Sequence, residues 1–334
     1  MRPRTLMFLR VLVPVVLFTG LLAVVDLGKA LTLIAGASPV PLIAALVLVQ
    51  VQIILAAVRW RVTARSLGQR LSMSRAIKEY YGASLLNLIL PGGVSGDVVR
   101  VARNRSDQNG VANMERSAHA VILERASGQF AFVAVAAAGL GIWAVNGGEG
   151  APDEAVLGVK TLGVIIAAVI GALAVTAIFA RGPIAAALKR FVTAARLAFL
   201  QPRQALYQLV LSLALVAAYL AVFALASLAV SAPLDLRQVL LFVPPVLLTM
   251  VLPISIGGWG LRETAAAALW PLAGYAPSIG IAASVLYGLV STVGALPGLF
   301  AFDFPLPHFF RRRRSRGEGD YNASPSVTEE DRRA

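Results

Sequence analysis

Between Leu252 and Glu263 the chain reads LPISIGGWGLRE, which sets a proline, three glycines and two charges inside an otherwise apolar stretch. Arg262 and Glu263 are the only charged residues between Arg237 and Asp303. No nearby charged loop offers either of them an easy route to water. A charge held at the centre of a bilayer costs about 2.5 to 3.5 kcal/mol on insertion scales, so such residues are functional candidates by default. Pro253, Gly257, Gly258 and Gly260 also disfavour an uninterrupted helix through this point. The stretch must fold as a broken segment that buries charge.

A second stretch, LPGGVSGDVVR from Leu90 to Arg100, has the same construction. Leu–Pro opens both, a glycine stands five positions after the proline (Gly96, Gly258), and an arginine stands nine after it (Arg100, Arg262). Val94 and Val99 align with Ile256 and Leu261. The two are read as copies of one broken-helix element, with Pro91, Gly93, Gly96, Pro253, Gly257, Gly258 and Gly260 as its helix-breaking positions.

What surrounds the two elements decides the class. The chain is 58% hydrophobic and only 14% charged over 334 residues, too apolar for a soluble globule and too long for a single anchor. Its apolar runs are about 20 residues long rather than alternating ten-residue segments, which favours helices over a barrel. An all-α polytopic membrane protein is expected, with about six full spans and two re-entrant hairpins. The absence of cysteine excludes disulfides and thiol chemistry. The net charge of +13 does not point to nucleic acid, because the basic residues lie in short segments between spans.

Those basic segments assign the topology. Arg2, Arg4 and Arg10 precede a first span, Val11 to Val25, whose far end is marked by Asp26 and Lys29 and which is expected to remain uncleaved. A second span, Pro41 to Val58, returns to Arg59, Arg61, Arg65, Arg70, Arg75 and Lys78, a cytoplasmic segment by the positive-inside rule. Ala76 to Leu90 is too short to cross and re-emerges among Arg100, Arg103 and Arg105, so it is expected to form a hairpin from the cytoplasmic side. A long helix from Val111 to Val145 and a span from Val156 to Ala180 follow. Residues 181–204 carry an amphipathic pattern (Ile184, Leu188, Phe191, Ala195, Phe199) that suits either the headgroup layer or a packed connector. Ala205 to Val230 crosses outward, residues 238–275 form a second hairpin or cross twice, and Ile279 to Phe302 ends inside before Arg311 to Arg314. Both termini are then cytoplasmic, and residues 306–334 form a basic tail of disordered composition.

Residues 41–145 and 205–302 thus repeat the same order of elements in opposite directions. Inverted-topology repeats place a binding site near the midplane of transporters and alternate its access.

The run NLILPGGVSGDVVR, the pair Glu124-Arg125 and PISIGGWGLRE together resemble the lysylphosphatidylglycerol synthase transmembrane, or flippase-like domain, family of bacterial inner-membrane proteins. The resemblance covers most of residues 5–305. It implies translocation of an anionic or aminoacylated phospholipid, or a related lipid-linked intermediate. The matching positions are Asn87, Pro91, Gly93, Gly96, Asp97, Arg100, Glu124, Arg125, Pro253, Gly257, Gly258, Arg262 and Glu263. Synthases of the family carry a cytoplasmic aminoacyl-transfer domain, whereas about thirty residues follow the last span here, so only the membrane activity is carried over.

Arg262 and Arg100 are the first candidates for phosphate contact, since a guanidinium offers a planar, permanently charged fork. Glu263, Asp97 and Glu124 would pair with arginines in an empty site. The bland alternative is a set of fixed ion pairs locking the hairpins. Glu124 and Arg125 lie well inside the membrane if their span begins near Val111 and at its edge if it begins near Ala126. Asn87 suits opened backbone or a neighbouring helix, Gln50 and Gln52 suit interhelical bonds, and Trp60, Trp143, Trp270 and Tyr80-Tyr81 suit the interfacial belt. Trp259 stands within a break, where it lines a path or fills a gap. No cofactor or metal is expected: His119 and His308 are far apart and no metal-binding or nucleotide-binding spacing occurs. An intramembrane transferase using Asp97 or Glu124 is the competing enzyme reading. A scaffold for a partner lipid synthase or glycosyltransferase is the competing interaction reading.

Overall fold

The computed structural model describes residues 27–90, 93–105, 111–145, 182–251 and 257–301. All of these are helix or short connection, with no strand among them. The helices are α1 (Leu27–Ala35), α2 (Pro39–Ser66), α3 (Met73–Ile89), α4 (Ser95–Arg105), α5 (Val111–Val145), α6 (Pro183–Phe199), α7 (Pro202–Ala229), α8 (Leu236–Leu248), α9 (Leu261–Leu269) and α10 (Pro277–Ala295). Four segments among the described residues are long and apolar enough to cross a membrane: Pro39–Ser66, Met114–Trp143, Pro202–Ala229 and Pro277–Ala301. The other two expected spans, Val11 to Val25 and Val156 to Ala180, lie outside the described residues, as do Pro91, Pro253 and the 306–334 tail. Helix α1 runs from Leu27 across Lys29 to Ala35, and Ala30 packs with Ala267 and Ile281.

The distribution of side chains is that of a protein dissolved in oil. On α2, Val40, Ile43, Val47, Val51 and Ile54 are exposed at helical spacing, while Gln52, Arg59 and Thr63 are buried. Helix α7 repeats this, with Leu206, Leu209, Val210 and Leu213 outward and Gln208 and Ser212 inward. Polar groups of the two helices bond to one another: Gln208 Nε2 donates to Thr63 Oγ1 at 2.7 Å and Arg59 Nη1 to Ser212 Oγ at 3.3 Å. At the opposite end the Ser38 amide donates to the Ala229 carbonyl at 2.8 Å. The start of α2 therefore meets the end of α7, and the two central helices run antiparallel. Ala45, Ala56, Ala57, Ala64, Ala226 and Ala229 are buried along them, the small side chains that let membrane helices approach closely.

Each central helix has 28 residues with proline in its first turn, and each is followed by a short helix, a break, a second short helix and a long helix. In the first set α3 and α4 fold back on each other: Arg75 Nη2 donates to the Arg103 carbonyl at 3.0 Å, and Arg103 Nε pairs with Glu79 at 2.8 Å. In the second set the Gln238 side chain near the start of α8 reaches the Ala273 carbonyl beyond α9, at 3.5 Å. Asp235 and Gln238 cap α8 reciprocally, and Pro244 and Pro245 remove two amide donors before it ends. At 17 and 13 residues, α3 and α8 are about 25 and 20 Å long, short of a hydrocarbon core of about 30 Å.

The two sets exchange equivalent contacts. Gly139 of α5 lies against the backbone of Leu240 in α8, and Gly298 after α10 lies against the backbone of Tyr81 in α3; a Cβ at either glycine would collide. The interval from Tyr81 to Leu240 equals that from Gly139 to Gly298. Helix α6 packs as a connector, with Ala194 and Ala198 buried, Phe191 edge-on to His119 at 5.4 Å, and Arg190 paired with Glu115 at 2.6 Å. Its Val192 and Leu197 remain exposed, as does the adjoining Leu200.

Candidate functional site

The first break begins where Leu90 leaves α3 in an extended conformation. Asn87, one turn back, accepts the Gly96 amide on its Oδ1 at 2.8 Å and so caps the incoming α4. A Cβ on Gly96 would fall on the backbone of Ala83, so only glycine lets α4 come this close to α3. That approach fixes Asp97 in the first turn of α4. Its Oδ1 accepts from Arg100 at 2.8 Å and its Oδ2 from Arg125 of α5 at 2.7 Å, with Asn87 Nδ2 at 3.4 Å.

Glu124 of α5 is the other anion of this cluster, and it is completely buried. Its Oε1 accepts from Arg59 of α2 and from the Tyr80 hydroxyl at 3.2 Å, and its Oε2 accepts from Arg100 at 3.1 Å. Gly128, one turn further along α5, leaves the space in which the Arg59 guanidinium lies; a Cβ there would sit 2.9 Å from Nη2. The Arg100 guanidinium is held between the rings of Trp60 and Tyr80, 4.6 Å from each. Cation–π contact favours these faces, and the result corrects the belt assignment: Trp60 is fully buried and Tyr80 nearly so. Trp270, also expected in the belt, is buried against Phe223 and donates to Ser227 at 3.3 Å.

The second break closes on itself. Gly257, Gly258 and Gly260 have φ of 56°, 84° and 86°, values that side-chain-bearing residues rarely adopt. Glu263 reaches back to the Gly260 amide at 2.6 Å and holds Arg262 Nη2 at 2.7 Å. Arg262 Nε donates to Ser284 at 2.8 Å, and its guanidinium stands 5.1 Å from the rings of both Trp259 and Tyr287. Each half thus sets its motif arginine against two aromatic faces and pairs it with carboxylate, Asp97 and Glu124 for Arg100 and Glu263 for Arg262.

The two breaks abut. Gly257 is so close to Leu88 that a Cβ would lie 2.6 Å from its carbonyl oxygen. Beside this junction is a cavity of about 350 Å³, bordered by Gly93 and Val94 from the first break and by Met250 and Gly257 from the second. Helices α2, α3, α5, α7 and α10 supply Arg59, Asn87, Arg125, Tyr219 and Tyr287 to its wall.

The placement of the candidate residues follows. Arg125, Asn87, Gly93 and Gly257 line the cavity, and the Arg125 side chain is 42% exposed. Asp97, Arg100 and Glu124 are joined to Arg125 and Arg59 through ion pairs but do not line it. Arg262 and Glu263 are both fully buried in their own cluster and do not line it either. Gly96, Gly258 and Gly260 shape the breaks. Arg59 was read as part of the basic segment that sets topology, yet it is 4% exposed and paired across to α5. A signal for it existed: the polar residues Gln52, Arg59 and Thr63 share one helical face at spacings of seven and four, with the small Ala56 between them. Gln50 does bond between helices, to the Gly294 carbonyl at 3.2 Å and from the Tyr81 hydroxyl at 2.6 Å, whereas Gln52 lines the cavity.

Three guanidinium groups, Arg59, Arg100 and Arg125, face two carboxylates, Asp97 and Glu124, within this cluster. One positive charge is left over, and two of the three cations border the cavity.

No curated protein matches the chain in sequence. The family described as the lysylphosphatidylglycerol synthase TM region matches residues 8–298, nearly the whole membrane part of the chain. That region is the transmembrane part of the synthases, without the catalytic domain. The chain therefore belongs to the lysylphosphatidylglycerol synthase TM region family, as a multi-pass helical membrane protein with a lipid-related function.

Proposed function

We propose that the protein moves lipids between leaflets, holding an anionic head group in the cavity where the two broken helix pairs meet while the acyl chains stay in the bilayer. The observation that carries this reading is the surplus positive charge of the Arg59–Glu124–Arg100–Asp97–Arg125 cluster, presented to a cavity by Arg125. A phosphodiester supplies the missing negative charge and matches the guanidinium fork. Arg100 and Arg262, wrapped in aromatic rings, brace the two breaks rather than touch the head group.

In this reading the two helix sets form an inverted repeat, α3–α4 enters from the cytoplasmic side and α8–α9 from the other, and the protein resides in the bacterial inner membrane with both termini cytoplasmic. The antiparallel α2–α7 pair and the shortness of α3 and α8 support the arrangement. The naturally cysteine-free sequence makes it directly testable. Ser74→Cys and Ala102→Cys, both at exposed positions, are expected to react with an impermeant maleimide from the same side of the membrane. Reaction from opposite sides would rule out the hairpin.

Translocation itself is measured in vesicles carrying purified protein and a tail-labelled anionic lipid, by the fraction reached by an impermeant quencher. Protein-containing vesicles are expected to equilibrate the lipid well above the protein-free rate. Ser84→Phe, which puts a ring into the cavity from α3, is expected to bring the rate down to that background. Equal rates with and without protein would refute the proposal.

A further inference from the structure

We infer that the outer face of α6 is a second lipid contact, separate from the cavity, and that it holds anionic phospholipid head groups at the membrane surface. Between Glu154 and Asp235 the sequence has six basic residues and no acidic one. Arg190 is matched by Glu115 of α5. Lys189, Arg196 and Arg203 are exposed, and none of them is in an ion pair among the described residues.

One side of α6 is already occupied by protein, with Ala194 and Ala198 buried and Phe191 against His119. The side turned away carries Lys189, Thr193, Arg196 and Leu200, whose spacing of four, three and four residues makes one exposed row. Val192 and Leu197 flank the row and are 41% and 43% exposed. Cations bordered by open apolar side chains are the composition of a helix lying in the head-group layer.

The start of α7 fixes the level of this face. Arg203, Leu206, Tyr207 and Val210 share one exposed side, so the chain passes from a cation through a tyrosine to lipid-facing residues within two turns. Tyrosine and basic residues together mark the water–lipid boundary. The end of α2 agrees, since Thr63 bonds to Gln208 at this level and the exposed Arg65 follows it. Only Leu200 and Gln201 separate α6 from α7, which holds the end of α6 at the same boundary.

Phosphates of anionic lipids supply the charge that the row lacks, while their acyl chains cover Val192, Leu197 and Leu200. An acidic protein would answer the charge alone. The lipid surface answers both, and it is already in contact with the adjoining face of α7.

The test uses the cysteine-free sequence. Thr193→Cys, in the middle of the row, is labelled with a small fluorophore in vesicles that contain nitroxide-bearing phosphatidylglycerol or phosphatidylcholine at equal low mole fraction. With the nitroxide placed near the head group, phosphatidylglycerol is expected to quench at least about threefold more than phosphatidylcholine, from the attraction of three basic residues. Lys189→Gln, Arg196→Gln and Arg203→Gln combined are expected to bring the ratio close to one, as is raising the salt from about 0.1 M to about 1 M. Equal quenching by the two lipids in the otherwise unaltered protein would overturn the inference. A ratio unchanged in the triple variant would do so too. Absence of quenching by either lipid would place the face in water, as an acidic protein partner requires, and would also overturn it. Each of these results leaves the reading of the cavity standing, because that is judged by lipid movement and Ser84→Phe.

Discussion

Replacing Glu124 by glutamine is expected to be among the most destabilising single changes available to this protein. The side chain keeps its shape, so packing is not the cause. What disappears is the anion shared by Arg59 and Arg100, both almost without exposure. Removing one partner of a buried pair typically costs about 3 to 5 kcal/mol, because the remaining charge has nothing to offset its loss of water. Arg100 keeps the Asp97 carboxylate, but Arg59 is left with neutral partners only, the Ser212 hydroxyl and the amide oxygen that glutamine retains. A Tyr80→Phe control removes only a hydroxyl donor to the same carboxylate and is expected to cost about 1 kcal/mol. Thermal unfolding of the purified protein in detergent, read by loss of monodisperse material, should rank the native protein, Tyr80→Phe and Glu124→Gln in falling order. A Glu124→Gln midpoint equal to the native one would show that the cluster contributes nothing to the fold.

Arg125→Gln is expected to have the opposite profile, with little loss of stability and a large loss of lipid movement. The Arg125 side chain is partly exposed, and Asp97 retains Arg100 when Arg125 is removed. The substitution cancels the surplus charge, leaving two guanidinium groups against two carboxylates. A unit charge about 4 Å from a guanidinium gains up to about 4 kcal/mol at the effective dielectric of a protein surface. Water in the cavity reduces this, so a fall in initial rate of about ten- to a hundredfold is expected, at about 1.4 kcal/mol per factor of ten. Arg125→Lys keeps the charge and loses the planar fork, which places it between the two. Rates in vesicles, normalised to folded protein, decide the matter. An Arg125→Gln rate matching the native one would remove this side chain from the site.

Much of this architecture could be read before any coordinates existed. Long apolar runs fix helices because a lipid-facing backbone must bond to itself, and the Val111 to Val145 run is found as one helix over those residues. The paired Leu–Pro motifs gave the two breaks, and the breaks adjoin at Leu88 and Gly257. Glu124, open on sequence grounds to an interfacial or an interior place, lies in the first half of a helix that begins at Val111 and is completely buried within the protein.

What sequence withheld was which charges face open space. Arg262 stands out in the sequence by its isolation among apolar residues. Yet Ser284 and Tyr287, which help to close around it, come from a different helix, and their approach has no local signature. Arg59 has the reverse history. It sits beside five other basic residues, where counting charges assigns it to a membrane surface, and only its pairing with a carboxylate 65 residues away draws it inward. The aromatic residues misled in the same way. An amphipathic ring suits the water–lipid boundary, but a buried guanidinium offers Trp60 and Tyr80 a stronger partner.

The aromatic wrapping of the two motif arginines has a practical consequence. The sequence contains only four tryptophans, and Trp60 and Trp259 each lie against a guanidinium, one in each half of the molecule. Their indole emission depends on the field of that neighbouring cation and shifts when the cation moves relative to the ring. In variants that keep only Trp60 or only Trp259, the remaining indole therefore becomes an intrinsic optical gauge of its own half, without any attached dye.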